Sequence, residues 1–221
     1  MNQREFFDRI ARTYGLKWTI EEENRIVAAR VVSGEERFVE VGCGKGLFLA
    51  ETTVPTAIGI DFSEGMLREA RRLLPERGFV LGDATRLPLR RGSVGTLVFL
   101  NVLHNQDHPE IWLRSARRGG ARKIVVDFRN LLNPIVFLKT LRSRSRFRRV
   151  DMDYRPSTRW DFRRLLEKNG WRPVRFHPVI RPPADPNTGF QRRHLIGWLV
   201  SRIPGLAPTY VVEAVATGEP E

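Results

Sequence analysis

Apolar residues recur at helical spacing in some stretches of this chain and in short runs typical of strands in others. Helical spacing covers residues 5–14 and 20–32, and a strand is predicted for residues 37–41. Further strands are predicted for residues 56–61, 78–83, 94–102 and 122–128, and further helices for residues 47–51, 64–74 and 109–118. Strands that alternate with helices in this way predict an α/β fold: a doubly wound, mostly parallel sheet with helices on both faces.

The last third of the chain follows a different pattern. A helix over residues 160–169 and strands over 171–180 and 209–217 are predicted to complete the sheet. Residues 129–157 and 181–208 fit no strand–helix unit, and we expect them to be insertions that form a basic cap over the strand ends. The expected organisation is one domain over residues 1–221, divided as follows: N-terminal helices over 1–36, a ligand-binding core over 37–128, the two cap insertions, and segments 158–180 and 209–217 that complete the sheet.

The net charge of +13 is concentrated in the second half of the 221-residue chain. Residues 114–221 hold 23 Lys and Arg against 9 Asp and Glu, whereas residues 1–113 hold 15 against 16. A basic half attracts phosphate groups of nucleic acids, anionic lipids or small substrates. Because only five of the 38 cationic residues are Lys, a solvated surface in an arginine-preferring proteome is an equally simple explanation.

Other features of the composition exclude several classes of protein. The chain has no run of 18 apolar residues, and its first residues open no apolar leader segment, so neither a spanning helix nor a secretory signal is expected. Cys43 is the single cysteine, which excludes an intramolecular disulfide and a cysteine-based zinc cluster. We expect no metal site and a cytoplasmic location.

A glycine-rich turn joins the first predicted strand to the following helix. It contains Gly42, Gly44 and Gly46, and Asp61 follows Gly42 by 19 residues at the end of the second strand. Glycine allows a tight turn and a close approach of the backbone to a ligand. Ligands of open α/β sheets bind outside the carboxyl ends of the strands, where a carboxylate can accept both hydroxyl protons of a ribose.

Two common nucleotide-binding motifs fit this turn poorly. A P-loop would need glycine at the position of Val39 and Ser or Thr at that of Gly46. A dinucleotide fingerprint would need Gly or Ala at Leu47. The remaining pattern is Gly-x-Gly-x-Gly after an acidic strand residue, Glu40.

Read together and in order, these motifs resemble those of the class I S-adenosylmethionine-dependent methyltransferases. The likeness is good over residues 1–128 and weaker over 158–180 and 209–217. Residues 39–46 resemble the first motif of that family, 58–67 the second-strand motif, 82–89 the next motif and 94–104 the fourth-strand motif. Residues 6–14 resemble the N-terminal helix of the ubiquinone/menaquinone-biosynthesis and related small-molecule branch. The resemblance implies seven strands, of which the last is antiparallel.

The resemblance also implies S-adenosylmethionine as the cofactor and a set of residues that bind it. Asp61 would hold the ribose, the Asp83 carboxylate would accept from the adenine amino group, and the Ala84 amide would donate to the adenine ring. Tyr14 would help to close the site over the cofactor. The full implied set is Tyr14, Glu40, Gly42, Gly44, Gly46, Asp61, Phe62, Met66, Asp83, Ala84 and Asn101.

The acceptor is expected beside the cofactor methyl group, at the ends of the fourth and fifth strands. His104 and Asn101 are the candidate catalytic residues there, because His104 follows an apolar strand and could titrate near neutrality. The alternative is that His104 caps the strand end or packs against the adenosyl group without proton transfer. Asp127 either faces the substrate or pairs with a neighbouring arginine such as Arg129.

The other histidines are expected to have lesser roles. His108 fits an ordinary loop residue, and His177 and His194 fit structural or surface positions.

Two kinds of nucleic-acid methylation fit this sequence poorly. Methylation of exocyclic amines usually goes with a proline-containing segment after the fourth strand, but residues 101–104 contain no proline. Methylation at carbon 5 of a pyrimidine typically uses a cysteine nucleophile, but the single cysteine, Cys43, lies in the cofactor loop. Methylation of an RNA ribose or ring nitrogen requires neither feature. We therefore expect methylation of a small or lipid-like acceptor, at oxygen or at an activated carbon. RNA methylation and a non-catalytic cofactor-binding role are the alternatives.

Both cap insertions join apolar residues to arginines. Residues 131–141 are apolar and precede the arginine-rich stretch 142–149, and residues 189–206 repeat the mixture. Such segments suit a helix on an anionic membrane surface, which would make membrane contact peripheral. They also suit an RNA phosphate footprint, or a cap that packs its apolar side on the sheet and leaves arginine in water.

Overall fold

The computed structural model describes residues 2–13, 20–143, 155–180, 184–185, 189–190 and 192–218. The helices are α1 (Gln3–Ile10), α2 (Ile20–Val32), α3 (Leu47–Glu51), α4 (Glu64–Leu73), α5 (Pro109–Arg118), α6 (Pro134–Ser143), α7 (Arg159–Lys168) and α8 (Arg192–Ser201). The strands are β1 (Arg37–Val41), β2 (Thr56–Asp61), β3 (Gly78–Leu81), β4 (Thr96–Phe99), β5 (Lys123–Arg129), β6 (Trp171–Val179), β7 (Ala184–Asp185), β8 (Gly189–Phe190) and β9 (Thr209–Ala216).

Seven of these strands form one sheet in the order β3-β2-β1-β4-β5-β9-β6. Strands β1 to β5 pair in parallel, whereas β9 runs antiparallel to both of its neighbours, β5 and β6. The strand order reverses between the neighbours β1 and β4, so the segments that leave their carboxyl ends run in opposite directions and open a crevice there. The predicted fold class, a mostly parallel seven-stranded sheet whose last strand is antiparallel, is confirmed.

Strand β4 is shorter than predicted. Residues 94–102 read as one apolar strand, but β4 ends at Phe99, and Asn101 has a positive φ of 58°. A residue in this left-handed region cannot continue a strand. The apolar residues Leu100 and Leu103 are still buried, because they pack in the turn beyond the strand. Burial rather than strand formation therefore explains the long apolar run.

Both faces of the sheet are covered by helices. On one face Phe128 stacks on Phe162 of α7 and on Tyr210 of β9, with ring centroids 4.5 and 5.6 Å apart. The fully buried Trp171 donates its indole N–H to the Leu113 carbonyl of α5 at 3.1 Å. On the other face α2 and α3 bury a second apolar cluster that includes Phe38.

Helix α1 is attached to the start of α4 by one carboxylate. Asp8 accepts hydrogen bonds from the Ser63 hydroxyl at 2.5 Å and from the Gly65 amide at 2.8 Å. The Ser63 hydroxyl in turn caps α4 by accepting from the Met66 amide at 3.1 Å. A Cβ at Gly65 would lie 2.9 Å from Asp8 Cα, so glycine permits this close contact. The predicted N-cap role of Ser63 is present, and it also positions α1.

Two buried asparagines join the described parts of the cap insertions. Asn130 donates to the carbonyls of Gly205 and Ala207 at 2.8 and 2.9 Å. Asn133 donates to the Leu206 carbonyl at 2.7 Å, and its own carbonyl oxygen accepts amides at the start of α6. The segment that follows β5 and the segment that precedes β9 are therefore held together beside the sheet.

Candidate active site

A cavity of about 550 Å³ opens at the carboxyl ends of β1, β2, β3, β4 and β5. Ten of the predicted site residues line it: Glu40, Gly42, Gly44, Asp61, Phe62, Met66, Asp83, Ala84, Asn101 and His104. Tyr14 lies outside the described residues. The sheet topology therefore brings residues from five strand ends into one chamber, as expected for an open α/β sheet.

The glycine loop turns sharply between β1 and α3. Gly42 and Gly44 have φ values of +77° and +52°, a region that other residues rarely adopt. A Cβ at Gly42 would lie 2.5 Å from Val102, whereas one at Gly44 would meet nothing within 4 Å. Gly44 thus presents bare backbone to the cavity.

Gly46 differs from the other two glycines because it does not line the cavity. It is the N-cap of α3 with a φ of 75°, and a Cβ there would press on Leu74 and Phe79 at 3.1 Å. Its contribution to the loop is the turn into α3.

Asp61 anchors the glycine loop to the end of β2. One carboxylate oxygen accepts from the Gly44 amide at 2.8 Å and the other accepts from the Ser63 amide at 2.9 Å. Burial raises the pKa of Asp61, and the bonds from backbone amides oppose that rise. Each oxygen retains a lone pair, so the carboxylate can also accept from a ligand hydroxyl.

Glu40 is a second buried carboxyl at the cavity wall. Burial, followed by the nearby Asp61 carboxylate, raises the pKa of Glu40 well above its usual value. Its Oε2 makes no hydrogen bond to any residue in the described part of the chain. An acceptor left in this state is costly, and a ligand donor would satisfy it.

Burial also raises the pKa of the Cys43 thiol well above its usual value, with Glu40 and Asp61 adding to the rise. The thiol is therefore protonated and is not a nucleophile.

Asp83 and Ala84 follow the end of β3 and line the cavity. Asp83 Oδ1 accepts from both the amide and the hydroxyl of Thr85 at 2.8 Å. These bonds fix the carboxylate and leave its second oxygen for a ligand. Ala84 is buried against the cavity.

Aromatic residues of α1 form part of the cavity wall. Phe6 and Phe7 line the chamber, and the Phe7 ring meets Phe62 edge-on at 6.0 Å between centroids. The Asp8 contacts described above hold this helix in place, so α1 is a wall of the site rather than a separate element.

A buried polar network lies at the β4–β5 end of the cavity. Asp127, fully buried, accepts from the Asn101 amide at 2.6 Å and from the Asn24 side chain at 2.8 Å. Asn24 also donates to Asn101 Oδ1 at 3.1 Å, and that oxygen accepts from Arg129 at 3.2 Å. Arg129 donates to Thr209 as well, at 2.9 Å. The network links α2, β4, β5 and β9.

Several of these residues were missed by sequence reasoning. Asn24 lies among charged residues on α2, and no spacing marks it as buried. Thr209 is an ordinary first residue of a strand. The described bonds of Asp127 go to Asn24 and the Asn101 backbone, two contacts that the sequence did not indicate.

His104 lies in a 3-10 turn after β4, buried at the cavity wall. Burial, and next the positive charge of Arg129, lowers the pKa of His104 to about 3. The imidazole is therefore neutral at physiological pH. The expectation that His104 titrates near neutrality is wrong for the ligand-free protein, because its burial could not be read from the sequence.

His108 and His177 do not line the cavity. His108 is exposed and contacts Glu110 at 3.1 Å, and His177 on β6 pairs with Glu213. The side chain of His194 lies outside the described residues.

Comparison with known sequences finds a family model and a curated relative that match part of this chain. Residues 39–120 match the family model described as a methyltransferase domain. A curated relative, demethylmenaquinone methyltransferase from Beutenbergia cavernae, is 35% identical over 100 residues, which is 42% of this chain. The match spans 41% of that relative, so the chain covers about two fifths of its length.

Solved structures share the fold across nearly the whole chain. One belongs to the Haloferax volcanii complex between the Trm112 methyltransferase activator and a methyltransferase. Its TM-score is 0.73 at 16% identity, and the match covers 96% of this chain and 98% of that chain. Another is magnesium protoporphyrin IX methyltransferase from Synechocystis PCC 6803 with bound SAH, with a TM-score of 0.62, 18% identity, and coverage of 96% and 95%. The family match over residues 39–120 and the shared fold support the predicted resemblance to the class I S-adenosylmethionine-dependent methyltransferases.

The lowered pKa of His104 predicts acid-sensitive stability. Between pH 6.5 and pH 3 the unfolded state takes up a proton that the folded state does not, so folding weakens as the pH falls through this range. From pH 7 to pH 4 the free energy of unfolding should fall by about 2–3 kcal/mol more in the wild type than in His104→Gln. Urea denaturation at each pH measures this difference.

The control is His108→Gln, which removes an exposed histidine. It should retain the pH dependence of the wild type. Equal pH dependence in His104→Gln and the wild type would contradict the buried, neutral imidazole.

Proposed function

We propose that the protein transfers a methyl group from S-adenosylmethionine to a small or lipid-like acceptor, at oxygen or at an activated carbon. The observation that carries this proposal is the cavity in which a bare glycine loop, Asp61 and Asp83 meet at three adjacent strand ends. The bound SAH in the Synechocystis relative supports the choice of cofactor.

The cavity residues fit this cofactor. Asp61 would accept from the ribose hydroxyls, and the free oxygen of Asp83 would accept from the adenine amino group beside the Ala84 amide. Glu40 Oε2, unpartnered among the described residues, is suited to the ammonium of the methionine part. Gly42 and Gly44 leave room for the cofactor backbone, and Phe62 and Met66 supply apolar surface.

The cofactor supplies an electrophilic methyl group, so the task of this chain is alignment of the acceptor. Asn101 and His104 lie at the end of the cavity where the acceptor would bind. A neutral imidazole with a pKa of about 3 orients an acceptor through hydrogen bonds, and it is a weak base until a ligand changes its surroundings. We therefore propose that His104 orients the acceptor through hydrogen bonds rather than removing its proton.

Two features favour a lipid-like acceptor. The aligned relative is a demethylmenaquinone methyltransferase. In addition, Phe137, Leu138 and Leu141 on α6 are about half exposed, as are Leu199 on α8 and the nearby Ile203. Apolar side chains in a basic region suit peripheral contact of a cytoplasmic enzyme with an anionic membrane. None of the helices that the structure describes is long and apolar enough to cross a bilayer.

Replacement of Asp61 tests the cofactor site. Asp61→Ala removes the ribose acceptor and the anchor of the glycine loop, so S-adenosylhomocysteine should bind at least about tenfold more weakly, or about 1.4 kcal/mol. Titration calorimetry measures the affinity. Asp107→Ala, which removes an exposed carboxylate, is the control and should bind as the wild type does.

Unchanged affinity in a folded Asp61→Ala variant would remove Asp61 from the cofactor site.

Label transfer tests the acceptor class. The protein is incubated with methyl-labelled S-adenosylmethionine and an extract of its source cells, and the products are separated into solvent-soluble, small aqueous, RNA and protein fractions. We expect label in the solvent-soluble or small aqueous fraction. Label in RNA would replace this proposal with ribose or ring-nitrogen methylation by the basic half, and cofactor binding without any labelled product would favour a non-catalytic role.

A further inference from the structure

We propose that Arg129 binds an anionic oxygen group, a carboxylate or a phosphate, on the methyl acceptor. The inference rests on the proposed function and deepens it, because it assigns a chemical class to the acceptor. It is carried by a buried cation at the acceptor end of the cavity whose described partners are all neutral.

Arg129 is the last residue of β5 and lines the cavity together with Asn101 and His104. Only 6% of its surface is exposed. A guanidinium remains charged at physiological pH, and burial of that charge is costly unless an anion compensates it. A charge in this position therefore requires a counter-ion from within the protein or from a ligand.

The protein does not supply a direct counter-ion among its described residues. The bonds of Arg129 go to the Thr209 hydroxyl at 2.9 Å and to the Asn101 amide oxygen at 3.2 Å, and both acceptors are uncharged. No described ion pair includes Arg129. A guanidinium has more N–H groups than these two bonds use, so donors remain for a planar oxyanion.

The guanidinium is held in a fixed position. The Asn101 side chain that accepts from Arg129 is itself fixed by two hydrogen bonds. The Asn101 backbone amide donates to Asp127, and the Asn101 side-chain oxygen accepts from Asn24. The described hydrogen bonds of Asp127 come from the Asn24 side chain and the Asn101 backbone amide, and none comes from the arginine. The network thus orients Arg129 without neutralising it by contact, which is the arrangement expected for a preorganised anion site.

The neighbouring groups fit the same assignment. His104 is neutral and adds no second cation, and an anion beside Arg129 would raise the pKa of His104 by offsetting the charge that lowers it. Two other cations line the cavity. Arg25 forms an ion pair with Glu51 at 2.7 Å, and Lys45, beside the glycine loop, donates to the Arg12 carbonyl at 3.3 Å. Arg129 is the cavity-lining cation that lies beside Asn101 at the acceptor end.

The test uses the full chain saturated with S-adenosylhomocysteine. Benzoate and phenyl phosphate serve as the anionic probes, and benzamide is the neutral probe of similar shape. Calorimetry measures binding, and the NMR signals of the His104 ring report its pKa. We expect at least one anion to bind and to raise the pKa of His104, and we expect benzamide to do neither; which anion binds more tightly distinguishes carboxylate from phosphate.

Variants identify the residue responsible. Arg129→Gln should weaken binding of the preferred anion at least about tenfold and leave S-adenosylhomocysteine affinity within about twofold. Arg129→Lys keeps the charge and should retain part of the anion binding. If Arg129→Gln does not fold, the wild-type comparison still tests the inference, because an anion should bind and raise the pKa of His104 whereas benzamide should not.

Three results would overturn the inference. One is equal behaviour of the anions and benzamide in the wild-type complex. Another is anion binding that survives in folded Arg129→Gln. The third is weaker S-adenosylhomocysteine binding by Arg129→Gln with unchanged binding of methylthioadenosine, which lacks the amino-acid carboxylate, because Arg129 would then bind the cofactor. Failure of the wild type to bind S-adenosylhomocysteine at all would instead defeat the proposed function.

Discussion

The carboxylate of Asp61 joins the parts of the molecule that make the site. It accepts from the Gly44 amide of the glycine loop and from the Ser63 amide at the start of α4. Ser63 in turn donates to Asp8, which holds α1 over the cavity. The glycine loop, β2, α4 and α1 are therefore connected through one buried acid and the hydroxyl of Ser63. Since buried carboxylates are tolerated only when such donors surround them, the binding surface and the local stability depend on the same bonds.

The acceptor end of the cavity is organised by a network of charged and amide side chains around the end of β5. Asp127 and Arg129 lie on the same face of β5, two residues apart, and the described bonds of each go to an asparagine rather than to the other. The network fixes the positive φ of Asn101, which ends β4 and turns the chain toward His104. One end of the chamber is thus built from backbone amides around acids, and the other from a cation with neutral partners. This asymmetry suits a nucleoside-containing cofactor at one end and an acceptor with an anionic group at the other.

Much of the fold could be predicted from the sequence because its signals are local. Apolar periodicity located the seven main strands, and Gly42, Gly44 and Asp61 lie at strand ends where the order of elements places ligands. The long-range features could not be predicted in this way. Nothing local shows that Asn24 of α2 reaches Asp127, that Gly46 faces α4 and β3 rather than the cavity, or that His104 is buried beside Arg129. Each depends on packing between segments far apart in the chain.

A crystal structure with bound S-adenosylhomocysteine would test the central claim most directly. The account predicts that the ribose hydroxyls lie within hydrogen-bonding distance of Asp61 and the adenine amino group within reach of Asp83. It also predicts that the sulfur faces the space between Asn101, His104 and Arg129. A ribose bound away from Asp61, or a sulfur directed away from that space, would contradict the account.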